Sequence, residues 1–234
     1  MQSDAFSGAT RGEVRGTTLF HKSRKEVNYL DIHTHNEERH NRCAIFNITT
    51  PHHSAGAVSL GLHPWDIDEE WQERIKGIAI AAKAENVVLI GECGIDRIKS
   101  PAGIERQEAV FIEHIAISEE LQKPLLIHCV KALDNIVALH KQKKPSQPWI
   151  IHGFRGKPRQ AATLTRQGFY LSLGEHFNSE TVKAIPPEKL FIESDESDKS
   201  IEEIYAAVAK ARGCTPQELA KQTRENATRC GIEF

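Results

Sequence analysis

Behind a polar opening stretch, the chain breaks into short apolar runs of strand length. They fall at 29–33 (YLDIH), 43–49 (CAIFNIT), 57–62 (AVSLGL), 87–91 (VVLIG), 124–128 (PLLIH), 148–152 (PWIIH), 168–172 (GFYLS) and 189–193 (KLFIE). Near-continuous apolar runs, rather than alternating ones, suit strands buried on both faces of a parallel sheet. Helical periodicity fills most gaps after the third run. Ile67, Trp71, Ile75, Ile78 and Ala82 step by four, four, three and four, which makes one apolar stripe. Ile104, Phe111 and Ile115 do the same within 102–122. Further helices are predicted over 132–143, 158–167 and 178–185. Ser200 with Glu203 forms a capping box for a helix over 201–211, and Gly213 suits its end. Thr215, Pro216 and Glu218 supply an N-cap, a first-turn proline and a box partner for 216–229.

Eight strands alternating with helices predict an α/β fold, a single (β/α)8 TIM barrel. Only 34–42 and 50–56 separate the first three runs. Parallel strands usually need a crossover of about a dozen residues, but nine extended residues reach roughly 30 Å. The expectation is a compact barrel lacking helices after strands 1 and 2, built from 29–234. Residues 1–28 read as a flexible leader rich in Ser, Gly, Thr and charge. Its Leu19 and Phe20 are candidates to plug sheet surface left bare by the missing helices.

Composition narrows the class. Lys plus Arg is 30 and Asp plus Glu is 32, a formal charge of −2. That excludes a strongly basic nucleic-acid coat and an acidic solvating chain. With 39% hydrophobic and 26% charged residues, the chain has the composition of a soluble globular protein. It holds no apolar run long enough to span a membrane. Five cysteines without a CxxC pair argue against a disulfide framework or a thiolate metal site. The N-terminus carries Arg11, Arg15, Arg24 and Lys25 and does not read as a secretory signal, so a cytoplasmic location is expected. No segment marks an obligate protein partner.

The chemistry concentrates at strand ends. In Asp31-Ile32-His33-Thr34-His35, strand alternation sends Asp31, His33 and His35 to one side. Glu92 follows VVLIG, His128 ends PLLIH, His152 ends PWIIH and Asp195 lies just past KLFIE. Buried apolar strands rarely end in a charge without a reason. In a barrel these ends meet on one face, where active sites form. Four histidines and two carboxylates there are enough for two divalent ions.

The constellation resembles the TatD family of metal-dependent hydrolases, usually described as deoxyribonucleases. The resemblance covers 29–231. It rests on DIHTH at 31–35, GLHPW at 61–65, GECGID at 91–96, RQEAVF at 106–111, PLLIHC at 124–129, IHGFRG at 151–156, ESD at 193–195 and ENATRCG at 225–231, in that order and spacing. It implies a first ion on His33, His35 and Asp195, a second on His128 and His152, and Glu92 bridging both. It implies catalytic roles for Asp195 and Glu92. Asp31, His63 and Glu193 match positions around the ligands, orienting them or facing substrate. Imidazole and carboxylate donors suit Zn, Mn, Ni or Fe, with Mg preferring more oxygen. Three departures bear on substrate. Val130 stands where the family commonly has an arginine, the sixth-strand motif reads HGFRG with Arg155 rather than HCFTG, and the segment between strands 1 and 3 is short.

Between Asn135 and Gly174 no acidic residue occurs, and Arg155 and Lys157 follow His152 onto the expected active face. They can bind a phosphate there, and Trp65 at the rim can stack on a base. His21, His40, His52, His53, His114, His140 and His176 read as solvated, with His52 and His53 candidates for rim contacts. Cys93 and Cys129 point toward the helices as small core residues. The sequence therefore suggests a dinuclear metal-dependent phosphodiesterase acting on DNA or RNA ends, with nucleic acid or another phosphodiester as its substrate. Two rivals are an amidohydrolase or lactonase on the same metal site and a non-catalytic metal-bound binding protein.

Overall fold

The computed structural model describes residues 28–39, 43–50 and 56–233. Eight strands form one sheet in chain order, every pair parallel. They are β1 (Asp31–Thr34), β2 (Ala44–Ile48), β3 (Val58–Leu60), β4 (Val87–Asp96), β5 (Leu125–Val130), β6 (Trp149–Ile151), β7 (Tyr170–Leu173) and β8 (Leu190–Ile192). Just past β8, Asp195 bridges back to Thr34 in parallel. The Asp195 N–H donates to the His33 carbonyl at 2.9 Å, and the His35 N–H donates to the Asp195 carbonyl at 3.2 Å. The sheet is thereby drawn into a nearly closed barrel.

Helices α1 (Trp71–Ala81), α2 (Ile104–Leu121), α3 (Leu133–Lys143), α4 (Pro158–Arg166), α5 (Ser179–Val182), α6 (Ile201–Arg212) and α7 (Pro216–Arg229) follow β3 onward. Between β1 and β2 the described residues hold only a 3-10 turn at Glu37–Arg39. The stripe predicted on α1 is buried at Ile75 and Ile78, with Ile67 and Ala82 buried just outside it. The predicted boxes cap α6 and α7: the Ser200 N–H donates to Glu203 at 2.8 Å, and the Thr215 N–H donates to Glu218 at 2.8 Å. Gly213 ends α6 at φ 81°, a left-handed position that favours glycine. Trp149, Phe111 and Phe169 anchor the layer between strands and helices. No helix among the described residues is long and apolar enough to cross a membrane.

Three readings change. The fourth strand does not stop at Gly91 but runs on to Asp96. Gly94, at φ 137°, lets it pass against the His128 carbonyl, where a Cβ would collide. His114 is fully buried on α2 instead of solvated, and His140 is half-buried against Phe169, ring centroids 4.3 Å apart. Both lie on helix faces turned to the sheet, where position outweighs polarity. The helix expected over 178–185 covers only Ser179–Val182. His21, His40, His52 and His53, and the plug assigned to Leu19 and Phe20, lie outside the described residues.

Candidate metal centre

Strand pleating explains which side chains converge. His33, His128 and His152 each lie two residues after a strand residue of the same face, so they project above the packed middle of the barrel. His33 is wholly buried, while the side chain of His35, just past β1, is 35% exposed. Asp195 stands at φ 53°, a region that Asp enters more readily than most side chains. The seam bonds to β1 hold its backbone there and set its carboxylate 3.5 Å from His33 Nε2 and 3.7 Å from His35 Nε2.

Glu92 is the centre of the cluster. Its Oε2 faces His33 Nε2 at 3.3 Å and His35 Nε2 at 3.2 Å. Its Oε1 faces His128 Nδ1 and His152 Nε2, each at 2.7 Å, and His63 Nε2 at 3.2 Å. The Glu92 N–H donates to the Asn47 side-chain oxygen at 2.8 Å, which also accepts from the Ser59 hydroxyl at 2.8 Å. This buried pair on β2 and β3 holds the Glu92 backbone in place.

Three further carboxylates surround the cluster. Asp31 accepts from the N–H and hydroxyl of Ser194, the residue before Asp195. Glu193 accepts from the Gly153 N–H at 2.6 Å and faces His152 Nδ1 at 3.3 Å. Asp96 accepts from the Trp65 indole N–H at 2.7 Å and faces His128 Nε2 at 3.2 Å.

Charge compensation dominates the electrostatics. Burial alone would keep His33 neutral, yet the Asp195 and Glu92 carboxylates push its pKa up to about 9. Burial likewise opposes a charge on His152, and Glu92 and Glu193 drive it well above the usual imidazole range. Glu92 is held well below the carboxylate range: burial works against its ionisation, and His152, His128 and His33 outweigh it. Asp195, despite burial, is held down to about 2 chiefly by His33. A donor set that binds protons so strongly offers the same lone pairs to a divalent cation.

The residues fit a metal. Both ring nitrogens of His33 are buried without a well-formed hydrogen bond, although Glu92 and Asp195 oxygens stand 3.3 and 3.5 Å from Nε2. Such a nitrogen is costly unless something else takes its lone pair. Donor atoms of His33, His35 and Asp195 lie within 4.8 Å of one another, as do those of His33, Glu92 and His152 and those of His63, Glu92 and His128. Beside them opens a cleft of about 330 Å³ whose wall includes Gly153, Arg155, His176, Phe177 and Asp195. Arg155 thus lies on the cleft, while Lys157 is exposed at the residue preceding α4. Trp65 is 38% exposed at the rim, with the Lys99 ammonium 4.3 Å from its ring centroid.

Residues 26–230 match the family model described as TatD related DNase. The chain belongs to the TatD family of metal-dependent hydrolases. It is 29% identical over 195 residues to the uncharacterized metal-dependent hydrolase YabD of Bacillus subtilis, covering 74% of this chain and 76% of that one. It is 29% identical over 210 residues to the 3'-5' ssDNA/RNA exonuclease TatD of Citrobacter koseri, covering 75% and 78%. The crystal structure of YJJV, a TatD homolog from Escherichia coli, superposes with a TM-score of 0.75 at 17% identity, covering 87% of this chain and 98% of that one. The last likeness supports the barrel, and the family match supports metal-dependent hydrolysis.

Within this TatD barrel, two participants escape a reading of the sequence, and a third, already singled out there, sits closer to the donors than its motif alone shows. Asp96 sits in the GECGID segment, but its role needs the strand extension. Asn47 lies in an apolar run and carries no sign that its amide meets the Glu92 backbone. His63 reads as substrate-facing from its motif, whereas its Nε2 lies 3.3 Å from His128 Nδ1, inside the donor cluster.

Proposed function

We propose that this chain is a dinuclear metal-dependent phosphodiesterase acting at DNA or RNA ends. One observation carries the dinuclear reading: the two oxygens of Glu92 face two different donor groups, His33 and His35 on one side and His128, His152 and His63 on the other. His33, His35 and Asp195 would hold one ion, His128 and His152 the other, with Glu92 shared and His63 adjacent. When bound, a divalent pair lowers the pKa of a water and offsets charge on the attacking and leaving oxygens.

The chain's own groups do the rest. Asp195, whose side chain is 29% exposed, borders the cleft and takes the proton from the attacking water. Arg155 on the cleft wall pairs with the phosphate by charge-assisted hydrogen bonds. Trp65 offers an aromatic face at the rim for the terminal base. The nucleic-acid substrate is supported by the name of the Citrobacter koseri relative and by Arg155 beside the donor cluster.

The test is a substrate panel on purified, metal-reconstituted protein: single-stranded DNA, RNA ends, cyclic dinucleotides, amides and lactones. Chelator-sensitive cleavage of phosphodiesters is expected. Hydrolysis confined to amides or lactones overturns the substrate assignment, and bound metal with no hydrolysis leaves a binding protein.

A further inference from the structure

The two histidines nearest Glu92 Oε1, each at 2.7 Å, approach it with different nitrogens, His152 with Nε2 and His128 with Nδ1. For His152, the other nitrogen faces the Glu193 carboxylate. For His128, the other nitrogen faces Asp96, at the end of the neighbouring strand β4. Asp96 is 1% exposed, and all its capacity is committed. Its Oδ1 accepts the backbone N–H groups of Ile98 and Lys99 at 2.7 and 2.9 Å. Its Oδ2 accepts the Trp65 indole N–H at 2.7 Å and meets His128 Nε2 at 3.2 Å. Its own N–H donates to the Gln107 side chain at 2.8 Å, and Gln107 is in turn fixed to the Ala102 carbonyl.

The geometry points to Asp96 as the positioning residue that sets which nitrogen of His128 enters the metal centre. An ionised carboxylate only accepts, so His128 Nε2 must carry the proton. Nδ1, 2.7 Å from Glu92 Oε1 and 3.2 Å from His152 Nε2, is the nitrogen left facing the donor cluster, and a cation bound there would take the place of the proton it shares with Glu92. Trp65 shares the same oxygen, so the rim indole and the ligand histidine hang from one buried anchor. This inference rests on the metal reading of the site, but the position of the proton on His128 does not.

Asn is a discriminating replacement. An amide accepts at one end only, whereas Asp96 receives two N–H donors at each oxygen. Either orientation of the substituted amide leaves two donors facing an NH2 group. Loss of such an outer partner typically weakens metal binding by about 10–100-fold. In Asp96→Asn, Zn(II) titration against a competing chelator should show that loss for the ion held by His128 and His152, with the His33 and His35 ion less affected. Trp65→Phe removes a neighbouring donor but keeps the Asp96–His128 contact, so Zn(II) affinity should be unchanged.

The deciding measurement needs no variant. Long-range 1H–15N NMR of the wild-type imidazoles should find His128 Nε2 protonated, both metal-free and after Zn(II) loading. An unprotonated Nε2, or full Zn(II) affinity in a folded Asp96→Asn, overturns the assignment. Failure of the wild type to bind Zn(II) at all would instead overturn the metal reading, and the state of Nε2 would still decide the role of Asp96.

Discussion

The carboxylate of Asp31 takes both donors that Ser194 offers, the backbone N–H at 2.9 Å and the hydroxyl at 2.6 Å. The two residues are 163 positions apart and fully enclosed. Asp31→Ala leaves both Ser194 donors buried, at about 1–3 kcal/mol each, although the hydroxyl can still turn to Thr34 at 2.9 Å. A loss of roughly 3 kcal/mol in urea unfolding of metal-free protein is expected. Asp31→Asn keeps an acceptor for the N–H and should recover more than half. A loss under about 1 kcal/mol for the alanine variant would show that the pair contributes little.

Glu92→Gln should weaken both donor groups, because one oxygen serves each. Removing the charge also leaves the surrounding imidazoles without their counter-ion. Elemental analysis and Zn(II) competition should register a drop of more than about tenfold at each ion. Loss at one ion with full retention at the other would remove the shared role.

Arg155→Ala tests the substrate class. A charge-assisted phosphate contact is worth about 1.5–3 kcal/mol, which is roughly ten- to a hundredfold in kcat/KM on a phosphodiester. Added salt should depress the wild type more steeply than the variant, since fewer phosphates are neutralised. Lys157→Ala should have the smaller effect, given its exposed place before α4. Val130→Arg in the Arg155→Ala background should restore activity if both positions reach one phosphate. Unchanged kinetics in the Arg155→Ala, Lys157→Ala double variant would take both residues out of substrate binding.

His114 predicts a pH signature in stability. The Leu62 N–H donates to its Nε2 at 2.9 Å, so Nδ1 carries the proton and donates to the Val110 carbonyl at 2.8 Å. The ring is neutral, and burial lowers its pKa from 6.5 to about 4. The unfolded chain therefore binds the proton first as pH falls. This contribution to stability is complete above the unfolded value and declines between about 6.5 and 4, by about 3 kcal/mol in total. His114→Gln can accept from Leu62 and donate to Val110 without titrating. Subtracting its urea-midpoint profile from that of the wild type should isolate a decline in that window. A flat difference would mean that the ring ionises in place.

The strand ends are legible in the sequence because a charge after a buried apolar run is costly, and eight such runs in order leave few topologies. His33, Glu92, His128, His152 and Asp195 all announce themselves in this way. Asp96 does not, because GECGID mixes glycine with charge and reads as a loop until the pairing of Gly94 with His128 carries β4 past it. Residue type misleads at His114: it shares the face of Val110, Phe111 and Ile117, all buried, and its position alone foretells burial. Asn47 is illegible because its value lies in a backbone N–H of another strand, a partner that no local pattern encodes.

The seam between Thr34 and Asp195 joins the beginning of the barrel to its end. His33 and Asp195 therefore become neighbours only when the last strand has arrived. Loop-closure entropy makes so distant a contact a late event in folding. A chain still emerging from the ribosome holds His33, His35 and Glu92 without their closing carboxylate. On the proposed metal reading, capture at that end of the centre thus waits until the chain through Asp195 has been made and has folded back onto β1.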